Sequence, residues 1–212
     1  MNHASYCNHC HRPQSRCLCR LITPINNPFH VFILQHSKER HHPKGTAQLA
    51  HLCLAESTLI CDKNFETALN TILSKCDPVL LYPEPAEQQP LSNLSPKTPV
   101  PQKTSSKAKK PALIVLDGTW KKANKIYHTH PMLHGLPRCH LDRYINQYTH
   151  RKSPSDQHLS TLEAICYGLQ QLEDKHNIIQ KTDYNPLLQA QQAMIEHWQQ
   201  RVSQHQPETP SQ

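Results

Sequence analysis

ALIVLD (112–117), followed at once by GTWKKANKIY (118–127), reads as a buried strand that turns through one glycine into an amphipathic helix. The strand is apolar until Asp117 at its end, and a run this short, bounded by a turn residue, suits a strand covered on both faces. In the helix, Trp120, Ala123, Ile126 and Tyr127 share one face, and Lys121, Lys122 and Lys125 share the other. A strand feeding straight into a helix is the repeating unit of an α/β protein with a mostly parallel sheet.

The same alternation extends upstream. HVFILQH (30–36) is a short apolar strand, and 46–56 carries Leu49, Leu52 and Cys53 at helical spacing. A strand at 58–61, a helix at 65–75 and a strand at 79–82 follow. Downstream, 138–141 is a further short strand and 142–158 a polar loop. Ser160 then begins a helix with Glu163 three residues on, a capping box, and Leu162, Ile165, Leu169 and Leu172 form its apolar stripe. A last helix covers 186–204, and residues 206–212 form a disordered tail. Residues 83–111 break the pattern with seven prolines and five lysines, which marks a solvated insertion. The expected organisation is therefore a small module at 1–28 and an α/β domain at 29–205 that carries this insertion.

Composition narrows the function. The 212 residues include only four glycines, Gly45, Gly118, Gly135 and Gly168, too far apart to write a G-x-G-x-x-G turn or a P-loop. Rossmann dinucleotide enzymes and P-loop NTPases are thereby excluded. Lys and Arg exceed Asp and Glu by 23 to 16, a formal charge of +7, and 17 histidines add to it in acid. An anionic partner such as RNA, DNA or anionic lipid is favoured. No apolar run is long enough to span a bilayer, and MNHASYCNHC (1–10) lacks a signal-peptide core, so the expectation is a soluble, cytoplasmic protein with no membrane partner and no obligate protein partner. Nine cysteines, an odd number, argue against a disulfide framework in that compartment.

Four of those cysteines, Cys7-x2-Cys10-x6-Cys17-x-Cys19, form the strongest local signal. Four thiolates close a tetrahedral Zn(II) site and leave no position for water, so such a metal is structural. A polar segment this short needs the metal to fold. His9 or His11 replacing one ligand is the intermediate case, and free or redox cysteines the plain one. The other five cysteines read as core residues.

Asp117-Gly118-Thr119-Trp120 lies at the carboxyl end of the best strand, where open α/β sheets bind ligands. The amides of 118–121 are candidates to hold a carboxylate or phosphate, and Asp117 to act as a base or fix an amine. A plain helix cap with Trp120 as a core anchor explains the same four residues. Arg151-Lys152, followed by Ser160, Thr161 and Glu163, offers a guanidinium clamp and a second helix start. Its plain reading is a basic loop before a capping box. Gln35, His36, Glu39 and Thr46 stand just beyond a strand, suggestive of a site and equally of a cap.

Taken in order, CNHCHRPQSRCLC (7–19), QHSKERHHPKGTAQL (35–49), LYP (81–83), LIVLDGTWKKANKI (113–126), LPRCHL (136–141) and YTHRKSPSDQHLSTLEAI (148–165) resemble the DTW-domain family of tRNA-uridine aminocarboxypropyltransferases. Ser37 stands where that family usually has proline, and Gln48 where arginine is common. The resemblance implies an α/β fold related to SPOUT RNA enzymes, with a C-terminal trefoil knot beside the zinc knuckle. It implies transfer of the 3-amino-3-carboxypropyl group of S-adenosyl-L-methionine to N3 of a tRNA uridine. Asp117 is then the catalytic candidate, with Gly118, Thr119, Trp120, Arg151, Ser160, Thr161 and Glu163 on the donor. Gln35, His36, Glu39, Thr46, Lys121, Lys122, Lys125 and Lys152 are assigned to the tRNA, and Cys7, Cys10, Cys17 and Cys19 to zinc. Two other classes fit parts of the pattern: a SPOUT-like RNA methyltransferase and a non-catalytic zinc-knuckle RNA-binding protein.

Overall fold

The computed structural model describes residues 5–40, 42–83, 109–139, 141 and 159–203. The expected insertion and the polar loop at 142–158 lie largely outside these residues, as do Arg151, Lys152 and the tail.

Five strands form one sheet: β1 (His30–His36), β2 (Ser57–Asp62), β3 (Cys76–Leu81), β4 (Lys110–Asp117) and β5 (Arg138–Cys139). Their order is β2-β1-β4-β3-β5, and every pairing is parallel. The sheet therefore presents the carboxyl ends of all its strands along one edge, where Gln35 of β1 lies level with Asp117 of β4. The ALIVLD strand occupies the centre and is buried from Ala112 to Asp117. β3 starts three residues earlier than the apolar run suggests and includes Pro78. That proline is tolerated because β5 pairs only with Leu80 and Leu81, so Pro78 faces no partner on that side.

Side chains alternate between two cores, as the period of two demands. Val31, Ile33, Leu113 and Val115 point to one face, covered by α1 (Ala47–Cys53), α4 (Thr161–Lys175) and α5 (Asn185–Ser203). Leu34, Ile114 and Leu116 point to the other, covered by α2 (Glu66–Lys75) and α3 (Trp120–Thr129). Gly168 lets α4 lie close on the sheet, since a Cβ there would stand 3.0 Å from Cδ2 of Leu113. α1 is shorter than the 46–56 pattern suggests, because Leu54 turns to extended backbone and bridges to Ile25.

The capping box at the start of α4 is formed as the sequence indicates. Ser160 Oγ accepts from the Glu163 amide, and Glu163 accepts from the Ser160 amide at 2.8 Å. The stripe Leu162, Ile165, Leu169 and Leu172 is buried. Trp120 does not take the core-anchor alternative. It is 50% exposed and anchors no core, whereas Ala123, Ile126 and Tyr127 of the same face are buried. α3 begins beyond the end of β4, so its first turn has no sheet beneath it.

The cysteine segment packs onto the first core rather than standing apart from it. Cys10 and Leu18 are buried with Ile25, Leu187 and Met194. Arg12 ties the segment to the chain after β1, donating to the carbonyls of Pro43 at 3.0 Å and Gly45 at 2.6 Å. Arg201 of α5 donates to the carbonyl of Ser15.

Candidate active site

Asp117 is the centre of the arrangement at the carboxyl edge. Its side chain is buried, and each oxygen has a donor from a different element. Gln35 Nε2 donates to Oδ2 at 2.9 Å, and Thr161 Oγ1 donates to Oδ1 at 2.5 Å. Burial pushes the Asp117 carboxyl above its ordinary value, and the bonds from Thr161 and Gln35 counteract that rise. Glu39 pushes in the same direction as burial. A carboxylate that is buried, satisfied and shifted upward is a better proton acceptor than an exposed one.

The glycine beside it has a φ of +153°, which L side chains rarely adopt. A Cβ on Gly118 would also stand 3.0 Å from Cβ of Lys122 and 3.7 Å from Cγ of Glu39. This turn releases the chain into α3, whose first amides have no acceptor within the helix. Thr119 is exposed, and its carbonyl accepts from the amides of Lys122 and Ala123 at 2.8 Å.

Around this centre the predicted residues divide. Glu39, buried, forms an ion pair with Lys122, so the first turn of α3 is strapped to the segment after β1. Thr46 is buried too, and its Oγ1 accepts from the Leu162 amide at 3.2 Å. Ser160 both caps α4 and donates to Gln191 of α5 at 2.7 Å. Thus Thr46, Ser160 and Glu163 all serve the start of α4, the turn that presents Thr161 to Asp117. His36 accepts from the Lys38 amide, and burial followed by the charges of Lys122 and Lys125 holds its imidazole below the usual value. Lys121 and Lys125 are exposed. Arg151 and Lys152 lie outside the described residues.

The structure adds Tyr82 and Asn124, which sequence reasoning passed over, beside Trp120 and beside Arg138, which the sequence reading expects on tRNA phosphates. The exposed ring of Trp120 meets Tyr82 edge-on at 6.3 Å, and Tyr82 stacks on Tyr127 at 4.5 Å. Tyr82 donates to Asn124 Oδ1 at 2.5 Å, and the Arg138 guanidinium lies 5.8 Å from the Tyr82 ring and 5.3 Å from that of Tyr127. These side chains make an aromatic wall with a cation behind it, reached from Asp117 by a single turn of chain. LYP and LPRCHL supplied the only sequence signal, since they mark Tyr82 and Arg138 without saying what they touch.

The four N-terminal thiols fit a metal. The Sγ atoms of Cys7, Cys10, Cys17 and Cys19 all lie within 4.8 Å of one another, with 3.5 Å between Cys7 and Cys19 and 3.8 Å between Cys10 and Cys17. A tetrahedron with metal–sulfur bonds of ~2.3 Å requires sulfurs ~3.8 Å apart. The amide of Leu18 also donates to Cys10 Sγ at 3.4 Å, as a second shell would. Amides of Cys10 and His9 draw the Cys7 thiol down to about 6, whereas burial and the neighbouring sulfurs push Cys19 up to about 12. Four thiols this close ionise together only around a cation. His9 and His11 are not part of the cluster. Of the other five cysteines, Cys53, Cys139 and Cys166 are buried, and Cys61 and Cys76 are partly covered.

Among the described residues no helix is long and apolar enough to cross a membrane. No solved structure matches the chain. Among curated proteins it is 31% identical over 190 residues to tRNA-uridine aminocarboxypropyltransferase 2 of Macaca fascicularis, covering 85% of this chain and 60% of that protein. The corresponding protein of Mus musculus is 30% identical over the same shares. That of Drosophila melanogaster is 29% identical over 84% of this chain and 71% of its own length. The chain thus spans about 60% of the length of the two mammalian relatives. Residues 4–199 match the DTW domain, a stretch that contains both the cysteine cluster and the Asp117 site, and the chain belongs to the DTW-domain family.

Proposed function

We propose that the protein transfers the 3-amino-3-carboxypropyl group of S-adenosyl-L-methionine to N3 of a tRNA uridine. The observation that carries this reading is the buried Asp117 carboxylate between Gln35 and Thr161, in a chain whose curated relatives bear that activity in their names. The N3–Cγ bond forms as the Cγ–sulfonium bond breaks, and the electron pair of the broken bond goes to sulfur. The sulfur leaves as the neutral thioether of methylthioadenosine, and the N3 proton passes to Asp117 and then to water.

A sulfonium activates all three of its carbons, so the protein's task is to choose which one meets N3. Choosing Cγ requires a grip on the amino and carboxylate ends of the donor. The early amides of α3 at 118–121 and Arg151 are assigned to the carboxylate, and the start of α4 at Ser160 and Thr161 to the same ligand. Glu163 holds that start in place. Trp120 and Tyr82 offer ring faces to uracil or adenine. Gln35 orients Asp117, while Glu39, through Lys122, fixes the turn that carries Gly118. Lys121, Lys125 and His36 face the tRNA, and Lys152 is assigned to it.

The all-parallel sheet supports a SPOUT-like architecture. A C-terminal trefoil knot belongs to the same proposal, with α4 packed against the central β4 after β5 at the sheet edge. Zinc suits the four thiolates, and it would keep residues 1–28 folded against the 29–205 domain without entering the chemistry. The cytoplasm, where tRNA and reduced thiols coexist, is the compartment this reading needs.

Incubating the purified protein with unmodified tRNA and S-adenosyl-L-methionine tests the reading by mass. An aminocarboxypropyl-uridine and methylthioadenosine are expected. S-adenosylhomocysteine with a methylated nucleoside would make the protein a methyltransferase, and no donor binding at all would leave a zinc-knuckle RNA-binding protein.

A further inference from the structure

A cavity of about 430 Å³ lies between the cysteine segment, Pro43 and α5, well outside the Asp117 cluster. Arg12, Arg16, His197, Trp198 and Arg201 line it, together with apolar side chains. Lys44 reaches over it, its Nζ 3.8 Å from the centre of the Trp198 ring. The volume falls within the ~300–1,000 Å³ of pockets that take an organic ligand rather than a bare ion.

The charge is one-sided. Among the described residues no carboxylate pairs with Arg12, Arg16 or Lys44. Glu196, the acidic residue on this part of α5, accepts instead from Gln192 at 2.9 Å. Four thiolates around a divalent ion would leave a charge of about −2 nearby, which Arg12, Arg16 and Lys44 more than offset. Cations kept together without acidic partners favour a polyanion.

The position links this cavity to the active site. Arg12 holds the carbonyls of Pro43 and Gly45, and the next residue, Thr46, caps the helix start that presents Thr161 to Asp117. A ligand lying in the cavity is therefore separated from the reacting centre by one short loop.

We infer that this groove holds the sugar-phosphate backbone of the tRNA at a distance from the modified uridine, with Arg16 and Lys44 on phosphates and Trp198 keeping Lys44 in place. The inference rests on the tRNA-modifying reading above and assigns a binding surface to it.

The test compares wild type with Arg16→Glu/Lys44→Glu, and with the milder Arg16→Gln/Lys44→Gln and Arg16→Lys. Binding of an unmodified tRNA transcript is titrated at several salt concentrations, beside transfer kinetics, S-adenosyl-L-methionine affinity, melting temperature and zinc content. The reversed pair should raise the tRNA Kd and the tRNA KM at least tenfold while kcat and donor affinity hold. It should also flatten the slope of log K against log salt by about two, since each lost phosphate contact removes ~0.9. The Gln pair should shift the same quantities less, and Arg16→Lys should stay near wild type. A reversed pair that melts and holds zinc like wild type, yet binds tRNA within twofold and with the same slope, overturns the groove. If wild type releases no methylthioadenosine while the variants still lose tRNA affinity, the catalytic reading falls and the groove stands. If wild type transfers the group and the reversed pair matches its KM, the groove falls alone.

Discussion

Thr161 and Asp117, 44 residues apart in sequence, share a hydrogen bond of 2.5 Å that joins the start of α4 to the end of the central strand. Gln35 completes the arrangement from β1, so the carboxylate at the end of β4 is gripped by two other elements at once. An Asp117→Asn variant keeps this geometry, because Thr161 still donates to its oxygen and Gln35 can turn its amide to accept from its NH2 group. Transfer should fall about 100- to 10,000-fold with tRNA affinity unchanged. Stability should move the other way. A carboxyl raised in the folded state favours folding while protonated and loses that advantage as pH rises from its unfolded value of ~3.9 through the folded one. At neutral pH the Asn variant should therefore melt above wild type. Near-normal turnover would remove Asp117 from the reaction.

The pH profile isolates Thr161. Its hydroxyl lowers the Asp117 pKa by bonding to the charged form, so Thr161→Val should move the acid limb of the transfer rate to higher pH. A charged hydrogen bond of ~1.5–3 kcal/mol corresponds to a shift of about one unit or more. The position of the limb is the readout, and a limb at the wild-type pH would separate Thr161 from the titrating group.

Trp120 separates packing from binding. Fully truncating a buried Trp costs ~3–5 kcal/mol, but this ring is 50% exposed. Trp120→Ala should therefore change the melting temperature by only a few degrees, while tRNA or donor affinity drops about tenfold, as expected for one lost stacking partner. A large loss of stability with intact binding would return Trp120 to the core.

Purified protein should carry a single divalent ion, zinc by mass spectrometry, and Cys10→Ser should lose it. Cys10 is buried with Leu18 and Met194, so the melting temperature should fall by roughly 5 °C or more. The kcat at saturating tRNA should survive, since the thiols lie apart from Asp117. A variant that keeps its metal and its melting point would show that the four sulfurs are not the ligands.

Gly118→Ala places a Cβ against Lys122 in a backbone conformation that costs ~1–3 kcal/mol for other residues. Gly118→Val is the stronger form of the same change. Both should weaken donor binding, measured by calorimetry, before they unfold the protein. Full donor affinity in either would put the donor elsewhere.

Much of this was legible in the sequence because it depends on short-range pattern. β1 runs over the residues read from HVFILQH, the capping box at Ser160 and Glu163 forms, and the cysteine spacing brings four sulfurs together. The partners of Asp117 were named as separate candidates, yet only the parallel register of β1 with β4 sets Gln35 level with it. Thr46 and Glu39 read as ligand contacts in the sequence, and the bonds by which they also hold the starts of α4 and α3 are visible only in the tertiary packing. Tyr82, Asn124, Tyr127 and Arg138 come from three elements, and no local period reveals that their side chains meet. Trp120 left a ligand-facing ring and a core anchor both open in the sequence, because helical periodicity gives the face of a residue but not whether anything lies under that turn; its exposure disfavours the core anchor.

The bond from Arg201 to Ser15 spans 186 residues, and Leu18 is sealed in the same core as Met194. On the ribosome this has an order built into it. The cysteine segment emerges before the sheet, but the helix that covers it is made only after the sheet is complete. Its four thiols are close in sequence, so a metal bound by them would be captured at once and would hold the segment in shape while it waits. If the cluster takes zinc, metal supply during synthesis, rather than after it, would decide how much of the protein reaches its finished state.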